Sequence, residues 1–171
     1  ESIVKDAMKE INKTWANPDD YIRVIKKVND AGIEVASEMI IGIDTDTKES
    51  LDETIEFIKK SNIIAPKFYC YTPIPGTPLN KEMSNAGRIV DDNILEYRPS
   101  KSVLNTPHFT ADEVTEQYWR VYKELYSVKN ILSRTIFNKR MLKHPLRTLF
   151  FFGVNLVYRG NIKRKVAPNI F

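Results

Sequence analysis

The spacing of apolar and polar positions in the first half of the chain predicts helices and strands in the order α-β-α-β. Apolar residues recur at helical spacing over residues 1–12 and again after Asn17, and Gly32 suits the left-handed C-terminal cap of the second helix. Residues 33–41 are β-branched and apolar enough for a buried parallel strand, and residues 68–72 predict a second, shorter strand. This alternation is typical of parallel βα units. The predicted buried positions of the second and third helices are Tyr21, Val24, Ile25, Val28, Leu51, Ile55 and Ile58.

Helix signals dominate the second half of the chain. Residues 80–86 predict a short helix, and Thr110 with Glu113 forms a capping box that opens a longer one. Pro145 predicts the start of a last helix that runs through Val157. The stripe and flanking aromatic residues of the helix after Thr110 are Val114, Tyr118, Trp119, Val121, Tyr122, Leu125 and Tyr126.

The pattern therefore divides the chain into three parts. Residues 1–87 form βα units, residues 88–109 are an irregular polar connector, and residues 110–171 form a helical C-terminal extension. The chain begins at Glu1 rather than Met, within a predicted helix, so we expect it to be a piece of a longer protein.

Composition adds limits on class and location. The 171 residues allow one domain with a real core, and 42% apolar with 28% charged residues is ordinary soluble composition. A net charge of +4 does not indicate a nucleic-acid-binding protein. No signal peptide is visible, and the apolar run Leu149–Val154 is too short to span a bilayer. We therefore expect a cytoplasmic protein.

The positive charge is concentrated at the C-terminal end. Residues 139–171 contain eight Lys or Arg residues and no acidic residue. Over residues 145–165 these charges alternate with aromatic and aliphatic residues, a composition found in helices that lie on membranes. Packing of this helix on the protein's own core is the alternative interpretation.

Candidate metal ligands are sparse. Cys70 is the single cysteine, so no internal disulfide forms and no cysteine-based metal site is complete. We predict that Cys70 is a buried residue of the second strand. His108 and His144 have no ligand-like neighbours in the sequence. Asp44 and Asp46 flank the turn after the first strand, where either cation binding or, more simply, helix capping accounts for them.

Glu38 is unusual because it lies within an otherwise apolar strand, in step with Ile40 and Gly42 on one face. A buried carboxylate is costly unless it is paired or faces a polar cavity. Either Glu38 faces solvent from an edge strand, or it points into a barrel and accepts hydrogen bonds from ligand hydroxyls. Gly42 correspondingly either lets a ligand approach the backbone closely or serves only as a turn residue.

A proline-rich loop follows the second strand. Residues 71–79 contain three prolines and one glycine, which predict a rigid loop at the strand end. Rigid backbone N–H and C=O groups can bind the edge of a planar base, and a purely structural turn is the alternative.

Residues 32–50 and 71–79 together resemble the radical S-adenosylmethionine (SAM) superfamily, in the cobalamin-binding-domain branch that includes anaerobic cyclases and hopanoid and tetrapyrrole enzymes. The strand with its Gly42 turn is similar to the fifth-strand motif of that superfamily. The proline-rich loop is similar to its sixth-strand loop and is the more specific of the two. The run 155–159 in the C-terminal helix is also similar, and the resemblance is strongest over residues 20–83.

The resemblance implies an α/β fold: the C-terminal part of a partial (β/α) TIM-like barrel with parallel strands, followed by a mainly helical extension. It implies reductive cleavage of SAM to generate a radical on an unknown substrate, with SAM and a 4Fe–4S cluster as cofactors and cobalamin left open as another. The superfamily's CxxxCxxC motif is absent, and one cysteine cannot hold the cluster. We therefore expect the cluster in a missing N-terminal half and an inactive fragment.

The resemblance also assigns individual residues to SAM. Glu1 and Glu38 match positions that bind the ribose hydroxyls, and Ile40 matches the residue that packs on adenine. Tyr71 and Thr72 match the strand end whose backbone bonds to the adenine edge. These residues are Glu1, Glu38, Ile40, Gly42, Tyr71 and Thr72. Asp46 stands where many members have Glu, which leaves its role open.

The expected partners follow from the half barrel. These are the missing N-terminal half, an unknown small-molecule or lipid-like substrate, and a second copy bound through the edge or inner face of the 33–41 and 67–72 strands. The alternative function is a non-catalytic docking or membrane-surface module that uses the basic aromatic C-terminal helix. An unrelated (β/α) fold with similar turns is a third alternative.

Overall fold

The computed structural model describes residues 2–10, 12–13 and 17–168 and forms them into a pair of parallel strands covered by helices. The helices are α1 (Lys5–Glu10), α2 (Tyr21–Asp30), α3 (Lys48–Ser61), α4 (Pro78–Asn85), α5 (Ala111–Leu125), α6 (Val128–Arg134) and α7 (Pro145–Lys163). The strands are β1 (Ala36–Ile41) and β2 (Ala65–Cys70). Short 3-10 turns lie at Pro18–Asp20, Ile94–Glu96 and Met141–Lys143.

The parallel pairing of β1 and β2 confirms the predicted α/β arrangement, although both strands are shifted along the sequence. Glu38 lies opposite Lys67, and Ile40 lies opposite Tyr69. β1 begins three residues later than predicted because the chain is still in a loop at Ile33, which is 61% exposed. β2 begins and ends earlier than predicted, so Tyr71 is the first residue beyond it.

Capping signals in the sequence mark the starts of two long helices correctly. Thr47 opens α3 and Thr110 opens α5, each through a capping box in which side chain and backbone bond reciprocally. α7 runs to Lys163, six residues past the predicted end, and α6 was not predicted. The prediction that Val24 is buried is wrong: Val24 is 47% exposed, because α2 packs on α3 along a narrower face.

One hydrophobic core joins the βα unit to the C-terminal helices. α5 contacts both α3 and β2, and its buried aromatic residues Tyr118, Trp119 and Tyr122 pack edge to face or tilted against one another. The same core includes Tyr158 and Ile162 of α7. The helices after residue 110 therefore cover the sheet.

The outer edge of β2 is covered by tyrosine hydroxyls from α5 and the residue after it. The backbone N–H of Phe68 donates to the Tyr122 hydroxyl at 2.8 Å. The Tyr126 hydroxyl donates to the carbonyl of Pro66 at 2.9 Å. Pro66 has no backbone N–H to offer, as is typical of an edge position. Two side chains thus occupy positions where a further strand would pair.

Backbone and amide groups complete this cover. The N–H of Cys70 donates to the carbonyl of Pro99 in the connector at 2.7 Å. At the other end, the Asn155 amide of α7 donates to the carbonyl of Ile64 at 3.2 Å. Because these contacts span the length of β2, the sheet ends at β2 on that side. Within the described residues, β1 has β2 as its strand neighbour.

Burial of two weak acids makes stability sensitive to alkaline pH. Cys70 is buried as predicted, and burial raises the pKa of its thiol to about 12. Burial likewise raises the pKa of the Tyr122 hydroxyl to about 12. In the unfolded chain both groups lose their protons at lower pH than in the folded chain. Their contribution to the free energy of unfolding is therefore fully present below about pH 9 and is lost as pH rises toward 12.

We therefore expect the free energy of unfolding to fall steadily above about pH 9, measured by urea denaturation at a series of pH values. Cys70→Ala removes one of the buried weak acids, so the decline of its free energy of unfolding with pH should be shallower than that of the unsubstituted chain. Parallel declines for the two proteins would contradict the assignment to Cys70.

Candidate functional site

The face of the sheet that the helices leave open carries polar and aromatic side chains. Strand alternation places Glu38 and Ile40 of β1 beside Lys67 and Tyr69 of β2 on this face. The intervening residues are buried on the helix side, where they belong to the core: Met39, Ile41, Phe68 and Cys70. The open face therefore differs in chemistry from the buried one.

The Glu38 carboxylate is held by two neighbours across the strand pair. One carboxylate oxygen lies 3.4 Å from the Lys67 ammonium and accepts a hydrogen bond from the Tyr69 hydroxyl at 3.1 Å. The Glu38 side chain is 62% exposed, whereas that of Lys67 is 18% exposed. Partial burial, and then the adjacent Glu38 carboxylate, raise the pKa of Tyr69. The carboxylate is thus oriented and accessible.

This arrangement has a definite binding chemistry. An oriented carboxylate accepts hydrogen bonds from ligand hydroxyls, and these are stronger than bonds between neutral groups. Half-buried Ile40 adds an apolar surface on the same face. The high exposure of Glu38 agrees with the alternative in which its side chain faces solvent. Its two contacts with Lys67 and Tyr69 agree with the alternative in which the carboxylate accepts hydrogen bonds from a ligand. Lys67 and Tyr69 were missed in the sequence, and strand alternation combined with the register would have identified them.

The turn after β1 is closed by Asp46. Gly42 has a φ of +93°, and its N–H donates to a carboxylate oxygen of Asp46 at 2.7 Å. The N–H of Ile43 donates to the same oxygen at 3.2 Å. Asp46 is 3% exposed, and Thr47 caps α3 instead. The helix-cap interpretation of Asp46 is therefore wrong, since its carboxylate binds the turn backbone.

Asp44 connects the same turn to the start of α5. Both carboxylate oxygens of Asp44 pair with the Arg88 guanidinium, one at 2.7 Å. The Arg88 Nε donates to the carbonyl of Asn105 at 2.9 Å, and the Asn105 amide oxygen accepts from the N–H of Ala111 at 2.9 Å. This chain of bonds fixes the loop after β1 relative to the connector. Nothing local in the sequence indicates Arg88.

The loop after β2, whose prolines predict a rigid conformation, is held by hydrogen bonds at several points. The N–H of Tyr71 donates to the carbonyl of Ile41 at 2.7 Å, which holds the two strand ends together. The Thr72 hydroxyl donates to the carbonyl of Cys70 at 2.9 Å. Farther along, the Asn80 amide donates to the carbonyl of Pro73 at 2.9 Å. Gly42 and Tyr71 therefore follow neighbouring strand ends, at the carboxyl edge of the sheet.

The strand pair and its two turns bring the predicted site residues other than Glu1 close to one another. Glu38 and Ile40 lie on the open face, and Gly42, Tyr71 and Thr72 lie at its carboxyl edge. Glu1 lies outside the described residues. Their assignment to SAM stays a prediction.

Metal-binding residues are not grouped in the part of the chain that the structure describes. No set of three or more His, Cys, Asp or Glu side chains there could hold a metal ion. The Cys70 thiol is buried in the core on the helix side of β2. The described residues therefore do not fit an iron–sulfur cluster, which is held by several thiolates.

A large groove lies elsewhere, between α3 and α5. Its volume is about 840 Å³, and it is lined mainly by charged side chains. Ion pairs lie among these side chains, joining Arg120 to Asp52 at 2.5 Å and Lys59 to Glu124 at 2.9 Å. These pairs connect the two helices on the outer layer, so the groove is separate from the open sheet face.

Curated proteins of known activity match the chain, whereas no protein-family model does. Bacteriochlorophyllide d C-8(2)-methyltransferase of Chlorobaculum tepidum is 28% identical over 152 residues, which are 88% of this chain and 34% of that protein. Bacteriochlorophyllide d C-12(1)-methyltransferase of the same organism is 27% identical over 171 residues, or 100% of this chain and 35% of that protein. Hopanoid C-2 methylase of Rhodopseudomonas palustris is 30% identical over 128 residues, which are 75% of this chain and 23% of that protein. The chain thus spans about a third or less of the length of these relatives.

Proposed function

We propose that this chain, which belongs to the radical SAM superfamily, is the C-terminal part of a partial (β/α) barrel. In this proposal β1 and β2 are the fifth and sixth strands of the barrel. The covered outer edge of β2 supports this proposal. A strand whose outer groups bond to tyrosine hydroxyls, an asparagine amide and a connector carbonyl has no room for a seventh strand. The fourth strand would then pair with β1.

In this arrangement the open face of the sheet is the inner face of the barrel. Glu38 accepts hydrogen bonds from the ribose hydroxyls of SAM, with Lys67 and Tyr69 holding the carboxylate in place. Ile40 packs against the adenine ring. Because the Tyr71 N–H already donates to Ile41, Tyr71 contacts the adenine edge through its other backbone atoms.

The remaining predicted positions complete the binding site. Gly42 allows close approach at the end of β1, Thr72 offers backbone groups at the end of β2, and Glu1 contributes a second acceptor for the ribose. SAM would supply two things in separate molecules: one molecule, cleaved with an electron from the cluster, would give the radical and methionine, and a second would give up its methyl group and leave S-adenosylhomocysteine. The described residues do not fit the cluster, so we place it in another part of the protein, and the chain is inactive alone.

The reaction we propose is methyl transfer to carbon on a large apolar ring molecule. Support comes from the names of the relatives, which are methyltransferases of bacteriochlorophyllide and a methylase of hopanoids. Cobalamin, bound outside this chain, is the proposed methyl carrier. A cytoplasmic location is part of this proposal.

The observation that carries the proposal is the oriented carboxylate of Glu38, and Glu38→Ala tests it. In the whole protein, reconstituted under anaerobic conditions, we expect SAM affinity measured by calorimetry to fall about 10- to 150-fold. The physical reason is the loss of charge-assisted hydrogen bonds from the ribose. The iron–sulfur absorbance should not change.

A matched variant separates ligand binding from the local ion pair. Lys67→Ala removes the partner of Glu38 and leaves the carboxylate, so it should lower SAM affinity much less than Glu38→Ala. Glu38→Gln retains an acceptor oxygen and should be intermediate. Unchanged SAM affinity in Glu38→Ala would return Glu38 to a solvent-facing role and would refute the proposed site.

A further inference from the structure

The last helix, α7, buries two polar residues along with Tyr158 and Ile162 and leaves a stripe of apolar residues exposed to solvent. Thr148 and Asn155 are buried, with 4% and 0% exposure. On the opposite side, Leu146 is 84% exposed and Phe150 is 63% exposed. A helix that only covers a core has the reverse pattern. The apolar residues exposed along α7 are Leu146, Leu149, Phe150, Leu156 and Val157.

Hydrogen bonds of the buried polar residues fix this orientation. The Thr148 hydroxyl donates to the carbonyl of Met141 at 2.5 Å. The Asn155 amide donates to the carbonyls of Ile64 at 3.2 Å and Phe151 at 2.8 Å. Rotating α7 to bury its leucines would break the bonds to Met141 and Ile64, which lie outside the helix. The outward apolar stripe is therefore built into the packing.

The segment that precedes α7 in the sequence carries further exposed apolar residues. Phe137 is 71% exposed and Leu142 is 57% exposed, and the exposed lysines Lys139 and Lys143 alternate with them. We define the apolar–basic face as the two lysines together with Phe137, Leu142, Leu146, Leu149, Phe150 and Val157. Exposed apolar side chains in contiguous stretches mark interaction surfaces.

The charge around this face has one sign. Residues 125–171 contain ten Lys or Arg residues and no Asp or Glu. Four of the ten are already engaged inside the fold. Arg140 and Arg147 pair with Glu34. Arg134 and Arg159 donate to backbone carbonyls. The lysines of the apolar–basic face remain exposed beside its apolar side chains.

We propose that the apolar–basic face binds the surface of an anionic lipid bilayer, with α7 lying in the interface. Apolar side chains enter the boundary of the acyl chains, and the lysines contact lipid phosphates, which is how interfacial helices bind. Charge selects this partner over a second copy of the chain, since two such faces would bring like charges together. No helix of the described residues is long and apolar enough to cross the membrane. This inference is independent of the proposed reaction.

Vesicle co-sedimentation tests the proposal. We expect the chain to bind vesicles of equal parts phosphatidylcholine and phosphatidylglycerol, and to bind vesicles of phosphatidylcholine alone far more weakly. The double variant Lys139→Glu/Lys143→Glu should weaken binding to the anionic vesicles about 30-fold or more, because each lysine near such a surface adds attraction. Leu149→Ser/Phe150→Ser should weaken it about 100-fold.

Matched variants outside the face make the test specific. Lys48→Glu/Lys81→Glu changes the same charge at exposed positions of α3 and α4, and Ile94→Ser/Leu95→Ser removes two equally exposed apolar residues of the connector. Both should bind like the unsubstituted chain. Far-UV circular dichroism and the urea midpoint establish that each variant is folded.

Three results would overturn the proposal. One is a folded chain that does not bind the anionic vesicles, and another is equal weakening by the control variants. The third is a dimer in light scattering that Leu149→Ser/Phe150→Ser abolishes without any vesicle binding, which would assign the face to a second copy of the chain.

Discussion

Gly42→Ala is expected to lower the free energy of unfolding by about 3 kcal/mol. Two effects add at this position. The backbone φ of +93° is one that side chains with a Cβ rarely adopt, and a Cβ built there would lie 2.8 Å from Val114 Cγ1. Val114 is buried in α5, so it has little room to move. Urea denaturation of the chain measures the loss.

Gly76→Ala is the matched control. Gly76 has a similar φ of +85°, but a Cβ there meets no atom within 4 Å. Only the strain of the left-handed backbone applies there, so the free energy of unfolding should fall by about 1 kcal/mol. In a Val114→Ala background the crowding is relieved, and Gly42→Ala should likewise cost about 1 kcal/mol. Equal losses for Gly42→Ala and Gly76→Ala would show that α5 does not press against the turn.

Tyr122→Phe is expected to lower the free energy of unfolding by about 2 kcal/mol. The substitution keeps the ring and removes the hydroxyl that accepts from the Phe68 N–H at 2.8 Å. The Phe68 group is buried at the outer edge of β2, so it would be left without a partner and without water. Urea denaturation at neutral pH measures this effect separately from the alkaline one.

Tyr158→Phe provides the comparison. Its hydroxyl is also buried, but within the described part of the chain it has no hydrogen-bond partner. Removing it should change the free energy of unfolding by less than about 0.5 kcal/mol. Similar losses for the two variants would mean that ring packing, rather than cover of the β2 edge, accounts for the effect of Tyr122.

The covered edge also refines the expected self-association. The sequence predicted association through the edge or inner face of the 33–41 and 67–72 strands. The structure closes the outer edge of β2 with Tyr122, Tyr126 and Pro99. Association through strand pairing is therefore a prediction for β1. The open inner face with Glu38 stays a second candidate surface.

Local chemistry determined what could be predicted from the sequence. Thr47 and Thr110 start their helices because a cap acts within three residues of itself. The parallel strand pair follows from apolar runs separated by a helix, and the rigid loop after β2 follows from its prolines. The same locality explains why the motifs around Gly42 and residues 71–79 were sufficient to identify the superfamily.

Long-range packing decided the rest. The register that places Lys67 opposite Glu38, the pairing of Asp44 with Arg88, and the tyrosine cover of β2 all join residues distant in sequence. A side-chain donor or acceptor does not reveal its partner in the sequence, because the partner is set by how helices dock on the sheet. The outward apolar stripe of α7 depends on the same docking, since Asn155 bonds across to Ile64. Local patterns in the sequence therefore predict the two strands and most of the helices, whereas the docking of helices on the sheet sets which faces meet and which remain open.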